Sequence, residues 1–150
     1  GNIIKATGNG GNITIETPQL TLSDGAQLNT SSLQSRGNAG NITLRALDVE
    51  LDGFVTLSYA DFALTKIATN VVLSDADVKA GTLSIDTERL RLSNGAYLNT
   101  SVQSGRGQAG NLIVRASDSI DIDGQGPLNR DGVPLSSGFF AQVQIGGIGS

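Results

Sequence analysis

Apolar and polar residues alternate along most of this chain in short runs. Ile13 and Ile15 bracket Thr14, Leu20 and Leu22 bracket Thr21, and Ile42 and Leu44 bracket Thr43. The same beat returns at Val49 and Leu51, Val55 and Leu57, Leu83 and Ile85, Leu90 and Leu92, Leu112 and Val114, and Ile120 and Ile122. A period of two sends successive side chains to opposite faces of a strand, so each run has one apolar and one polar face. Ser23-Asp24-Gly25, Ser93-Asn94-Gly95 and Asp52-Gly53 punctuate the runs with residues that tolerate left-handed backbone angles. Helical spacing at i, i+3 and i+4 is not sustained anywhere. The pattern predicts an all-β chain.

The runs also repeat. Gly11–Ala46 (GNITIETPQLTLSDGAQLNTSSLQSRGNAGNITLRA) aligns without a gap on Gly81–Ala116 (GTLSIDTERLRLSNGAYLNTSVQSGRGQAGNLIVRA), and about half the positions are identical. After one inserted residue, Asp48–Gly53 matches Ser119–Gly124, and Phe62-Ala63 with Ile67 echoes Phe140-Ala141 with Ile145. The 150 residues therefore read as a single segment of two long repeats, approximately 1–70 and 71–150.

Short strands alone suit a sandwich, a barrel or a solenoid. Recurrence favours the solenoid, because stacking then places like residues on like. The expected fold is a right-handed parallel β-helix (β-solenoid) of about five coils, each of roughly 30 residues, with three short strands per coil around a narrow apolar core. Ile15, Leu20 and Leu28 would point inward, and Thr14, Glu16 and Thr21 outward. Asn12, Asn41 and Asn111 each follow a glycine at the mouth of a strand. Stacked amides would bond along the axis there, or the asparagines serve only as turn residues; the sequence leaves both readings open.

Composition narrows the picture. Aromatics make up only 4%, and Trp, Met, Cys and His are absent, so the interior must be thin layers of Ile, Leu, Val and Ala. A net charge of −4 without a basic run argues against a nucleic-acid partner. No apolar stretch is long enough to span a membrane as a helix. Without His or Cys, the common general base, the thiol nucleophile and the usual zinc ligands are missing. The calcium repeat GGxGxDxUx is absent as well.

The stretches GNGGNITIET, LTLSDGAQLNTSS and RGNAGNITLRA resemble the repeats of filamentous-haemagglutinin-like exoproteins of two-partner secretion, particularly the cyanobacterial type. The resemblance is strongest over 8–53 and 81–124 and weakens at 58–80. It implies a secreted right-handed β-helix at the cell surface. The secretion-signal domain of that family is not part of the resemblance, so the export route is not implied by these residues.

No catalytic residue, cofactor site or metal site is predicted. Asp121 and Asp123, or Asp75 and Asp77, with an arginine such as Arg115 are the nearest thing to a lyase-like set, but they sit at turns and outward strand positions. Tyr97 is expected on the outer surface. The expected function is an extracellular structural or adhesive module that stacks axially, as part of a longer surface protein or as a head-to-tail filament subunit. Its partners would be copies of itself or adjacent repeats, with surface glycans as a second class. Asn2, Ile3, Ile4, Val143 and Ile145 are the candidates for the axial interface. The alternative is a polysaccharide-binding or polysaccharide-degrading protein.

Overall fold

The computed structural model describes residues 8–33, 36–58, 61–72, 77–103, 107–141 and 143–144, and among them every regular element is a strand. Four strands, Ile13–Ser23, Ile42–Asp52, Leu83–Ser93 and Leu112–Asp123, lie side by side in that order as one parallel sheet, the long sheet. A second parallel sheet holds Gln27–Asn29, Lys66–Ala68, Tyr97–Asn99 and Gly138–Phe140. A third holds Ser32–Leu33, Val71–Val72, Val102–Gln103 and Val143–Gln144. The chain visits these sheets in the same order four times. Each visit to all three is called a pass below.

Register follows the repeat. Ile13, Ile42, Leu83 and Leu112 stand side by side, as do Leu22, Leu51, Leu92 and Ile122. The apolar face of every strand meets the same face of its neighbour, and these rows fill one core with Ile67 and Leu98 of the second sheet. Ile15, Leu20 and Leu28 pack against this core, while Thr14, Glu16 and Thr21 are exposed, as the alternation requires.

Each long strand contains a corner. Leu83, Ile85 and Thr87 face inward, Glu88 and Arg89 are both exposed, and Leu90 and Leu92 face inward again. The Thr87 hydroxyl lies 2.9 Å from the Leu47 carbonyl and 3.0 Å from the Arg89 carbonyl, which satisfies backbone groups where the face switches. The one-residue insertion of the second repeat falls at this bend, where the register shifts between Thr87 and Arg89.

Three expectations are corrected. The described residues make four passes, not about five, because neighbouring passes are spaced by 29 and then 41 residues rather than a uniform 30. The longer passes carry an antiparallel hairpin: Phe54–Ser58 with Asp61–Leu64 in the second pass, and Gln125–Leu128 with Pro134–Ser136 in the fourth. Each pass also contributes one long bent strand and two short ones to the three four-stranded sheets, not three short strands, and Val78–Lys79 and Gly107–Gln108 add a further parallel pair ahead of the third and fourth long strands. The Phe62–Phe140 echo is not an equivalence, since Phe62 sits in a hairpin opposite Thr56 and Phe140 sits in the second sheet beside Asn99. The counterpart of Ile67 is Phe139; both lie beside Leu98.

Turn chemistry explains the two kinds of pass. In the first and third, Asp24-Gly25 (φ 54° and 81°) and Asn94-Gly95 (φ 52° and 88°) turn the chain straight into the second sheet. In the second and fourth, a single left-handed glycine, Gly53 or Gly124 (φ 76° and 73°), sends it into a hairpin instead. Thr65 and Ser137 close those hairpins. Each donates its hydroxyl to the strand-end carbonyl, Asp52 at 2.8 Å or Asp123 at 2.9 Å. Each also accepts the N–H of the turn glycine on the plain pass before it, Gly25 or Gly95, at 2.9 Å. Plain and hairpin passes are therefore locked together in pairs.

Candidate functional site: the stacking edge and end faces

At the corner entering the long sheet, the backbones of successive passes nearly touch. Gly11, Gly40, Gly81 and Gly110 form a column, and a Cβ on Gly40, Gly81 or Gly110 would lie 2.0, 1.8 or 1.9 Å from the carbonyl oxygen of the glycine before it. Only glycine fits at these three places.

That close approach sets up the asparagine ladder. The Asn12 Oδ1 accepts the Asn41 N–H at 2.8 Å, and the Asn41 Oδ1 accepts the Thr82 N–H at 2.8 Å. The bonds run from backbone N–H to side-chain oxygen, not between side-chain amides, so the asparagines form a ladder of a different kind from the stacked-amide reading. A second ladder, missed in the sequence, runs beside it: Asn9 Oδ1 accepts the Asn38 N–H at 2.9 Å, and Asn38 Oδ1 accepts the Lys79 N–H at 2.8 Å. Its signal was the paired spacing of Gly8-Asn9-Gly10-Gly11-Asn12 and Gly37-Asn38-Ala39-Gly40-Asn41. Both ladders stop at the third pass, because Lys79 and Thr82 carry no side-chain carbonyl. Asn111 stands one pass further on, where its backbone carbonyl accepts the Leu83 N–H at 2.9 Å.

Threonines brace the interior. Thr30, Thr69 and Thr100 donate across the core to the carbonyls of Gly40, Gly81 and Gly110 at 2.7, 2.6 and 3.1 Å. Buried hydroxyls need such partners. Beside them Ser31 bonds Asn29 and Asn70, and Ser101 bonds Asn99.

The first and last passes form the edges of the long sheet. Leu90 and Leu92 are 0% exposed on the third pass, whereas Ile120 and Ile122 on the fourth are 45% and 46% exposed. Ile13, Ile15, Leu20 and Leu22 on the first pass are likewise only partly covered. Of the predicted axial residues, Asn2, Ile3, Ile4 and Ile145 lie outside the described residues. Val143 does lie on the last strand of the third sheet, next to Val102. The exposed rows of the long sheet were not singled out from sequence, because their buried equivalents look identical there.

Charges decorate the outer faces. Arg89 binds Asp48 through Nε at 2.5 Å and a second nitrogen at 3.0 Å, which holds the Asp48 carboxyl below its ordinary range and raises Arg89. Arg115 lies 3.6 Å from Asp86. Asp123 accepts the N–H of Gly124 at 2.6 Å, a turn role, and Asp121 is exposed on the outer face. Asp75 lies outside the described residues. Among the described residues, no three His, Cys, Asp or Glu side chains converge to hold a metal ion, and no helix is long and apolar enough to cross a membrane.

One concavity lies between the two hairpins. Leu64 of the first and Leu135 of the second flank a hollow of about 240 Å³, with Tyr97, Asn99, Gln103 and Phe140 around it. Tyr97 is half-buried rather than on the open surface, its ring edge-on to Phe140 at 5.8 Å, and burial raises its phenol pKa. Burial also lowers the ammonium of the neighbouring Lys66.

The chain is thus an all-β protein of stacked parallel sheets. Comparison with protein-family models, with curated proteins and with solved structures gave no match.

Proposed function

We propose that this chain is a right-handed β-helical module, a β-solenoid, that acts as an extracellular structural or adhesive element by stacking end to end with adjacent repeats or further copies. The observation that carries this reading is the repeated register: four parallel passes place apolar, glycine and asparagine positions over their equivalents. Such an arrangement grows by adding passes, and its product is a shape. The cell-surface location rests on the likeness of its Gly-Asn-Ile repeats to filamentous-haemagglutinin-like exoproteins.

Negative-stain microscopy and small-angle scattering test the reading. One chain is expected to be a short stack, its described long strands spanning about 14 Å of axis at a spacing of ~4.8 Å, that lengthens into a rod as copies associate. A globule with crossed strand layers would end it.

A second reading, a glycan-binding protein, is favoured by the hollow between the hairpins, where two aromatic rings meet the amides of Asn99 and Gln103. A glycan array combined with a sugar-release assay separates the two. Specific binding lost on Tyr97→Ala, above all with release of sugars, would favour the second.

A further inference from the structure

The outer face of the long sheet carries a row of charges that only the register reveals. Glu16 is paired in register with Arg45, Arg45 with Asp86, and Asp86 with Arg115. The signs alternate along the stacking direction: minus, plus, minus, plus. Neighbours in such a row are one strand spacing apart, about 4.8 Å, where opposite charges attract and like charges repel. The row begins negative on the first pass and ends positive on the fourth.

The two edges of the sheet also match in kind. The second and third passes form an internal junction in which a hairpin pass meets a plain pass, and their apolar rows are 0–1% exposed at Ile42, Leu44, Val49, Leu51, Leu83, Ile85, Leu90 and Leu92. The fourth pass is again a hairpin pass and the first again a plain one. A second copy of the chain placed beyond the fourth pass would present its Ile13–Ser23 strand just as Leu83–Ser93 is presented to Ile42–Asp52. Ile13, Ile15, Leu20 and Leu22 would cover Leu112, Val114, Ile120 and Ile122, the partly exposed rows. Asn111 would offer its Oδ1 to the N–H of the incoming Asn12, which continues the broken ladder.

We infer that the Leu112–Asp123 edge is a docking surface for the Ile13–Ser23 edge of a second copy, in parallel register, with Arg115 facing the incoming Glu16. This rests on the stacking reading above and adds polarity and register to it. Head-to-head and tail-to-tail contacts turn one copy over, so the edge strands would meet antiparallel and the parallel register of the rows would be lost. Only head-to-tail contact continues the alternation, and such a contact is heterologous and propagates into an open filament.

The junction is weaker than its internal template. Gln19 and Ser119 stand where Arg89 and Asp48 make their two-point ion pair, and Asp24 faces Asp123 where Asn94 donates to Asp52 at 2.8 Å. Association is therefore reversible, and Asp24→Asn, which restores the internal arrangement, strengthens it.

Sedimentation velocity over a concentration series of the full chain tests the docking. Wild type forms linear assemblies. Glu16→Arg alone and Arg115→Glu alone each associate about tenfold more weakly, the order of one exposed like-charge contact replacing an attractive one. An equimolar mixture of the two variants restores assembly, because every junction in it again joins unlike charges, and this rescue cannot come from misfolded chains. Single variants that assemble like wild type, or a mixture that does not recover, would overturn the proposed register while leaving the parallel stacking within each chain untouched. A wild type that stays monomeric at millimolar concentration overturns the docking itself. Crossed strand layers, read from cross-strand amide contacts by NMR in the separate chain, are the distinct failure of the underlying reading.

Discussion

The inner and outer passes of the molecule carry nearly the same residues in very different surroundings. Leu92 on the third pass and Ile122 on the fourth are partners in register, yet Leu92 is 0% exposed and Ile122 is 46% exposed. Gly81 and Gly11 occupy one column, yet a Cβ on Gly81 would collide with Gly40 and one on Gly11 would meet nothing within 4 Å. In a stacked chain, what a residue contributes depends on whether a pass lies on both sides of it. Identity sets the row; neighbours set the energy.

The sharpest way to break the comparison is at the glycine column. Gly81→Ala should destabilise the chain by more than about 3 kcal/mol or prevent folding, since the clash is with backbone and cannot be relieved by a rotamer. Gly11→Ala should be close to neutral. Urea unfolding of the two variants measures the difference, and equal losses would mean the column is not what holds the passes together.

Core truncation comes next. Leu92→Ala should cost about 3 kcal/mol, the usual range for a fully enclosed leucine. Ile122→Ala should cost about 1 kcal/mol in dilute solution, because much of its surface is already in water. Thermal unfolding at low concentration checks the contrast, and the gap should narrow at concentrations where copies associate.

The ladders predict a smaller difference. Asn41→Ala removes the acceptor of the Thr82 N–H and should cost about 1 kcal/mol, whereas Asn111→Ala should stay within about 0.5 kcal/mol in the separate chain. Amide exchange at Thr82 should quicken in the first variant only.

The smallest effect is electrostatic and confined to the middle of the molecule. Arg89 lowers the Asp48 pKa from its ordinary value of 3.8, first through their hydrogen bond and then through charge. A carboxyl depressed on folding adds stability above its unfolded value, and that contribution is lost as pH falls through the folded value. Both groups are exposed, so the gain is small and weakened by salt. The Asp48 carboxyl should titrate below 3.8 by NMR and return to that range in Arg89→Gln.

Much of the fold was legible in the residues because strand alternation and repetition agree. The in-out beat at Ile13–Ser23 and Leu83–Ser93 and the left-handed turns at Asp24-Gly25 and Asn94-Gly95 follow from local pattern. What escaped depended on distance. The hairpin at 54–64 broke the apparent coil length, since its own alternation looks like any other strand. The charge row was invisible because Glu16 and Arg45, then Arg45 and Asp86, become neighbours only once the unequal lengths of successive passes are known. The hydroxyls of Thr30, Thr69 and Thr100 carry no local signal, because their partners across the core lie 10 or 12 residues away.

The hairpins leave and rejoin the stack at a single corner, where the Thr65 N–H bonds the Gly53 carbonyl at 3.1 Å. Insertions or deletions beyond that clasp would not shift any row beneath it. A longer array built on this plan would bear bristles every second layer, about 9.6 Å apart along one side. Their tips are free to diversify while the shaft stays fixed.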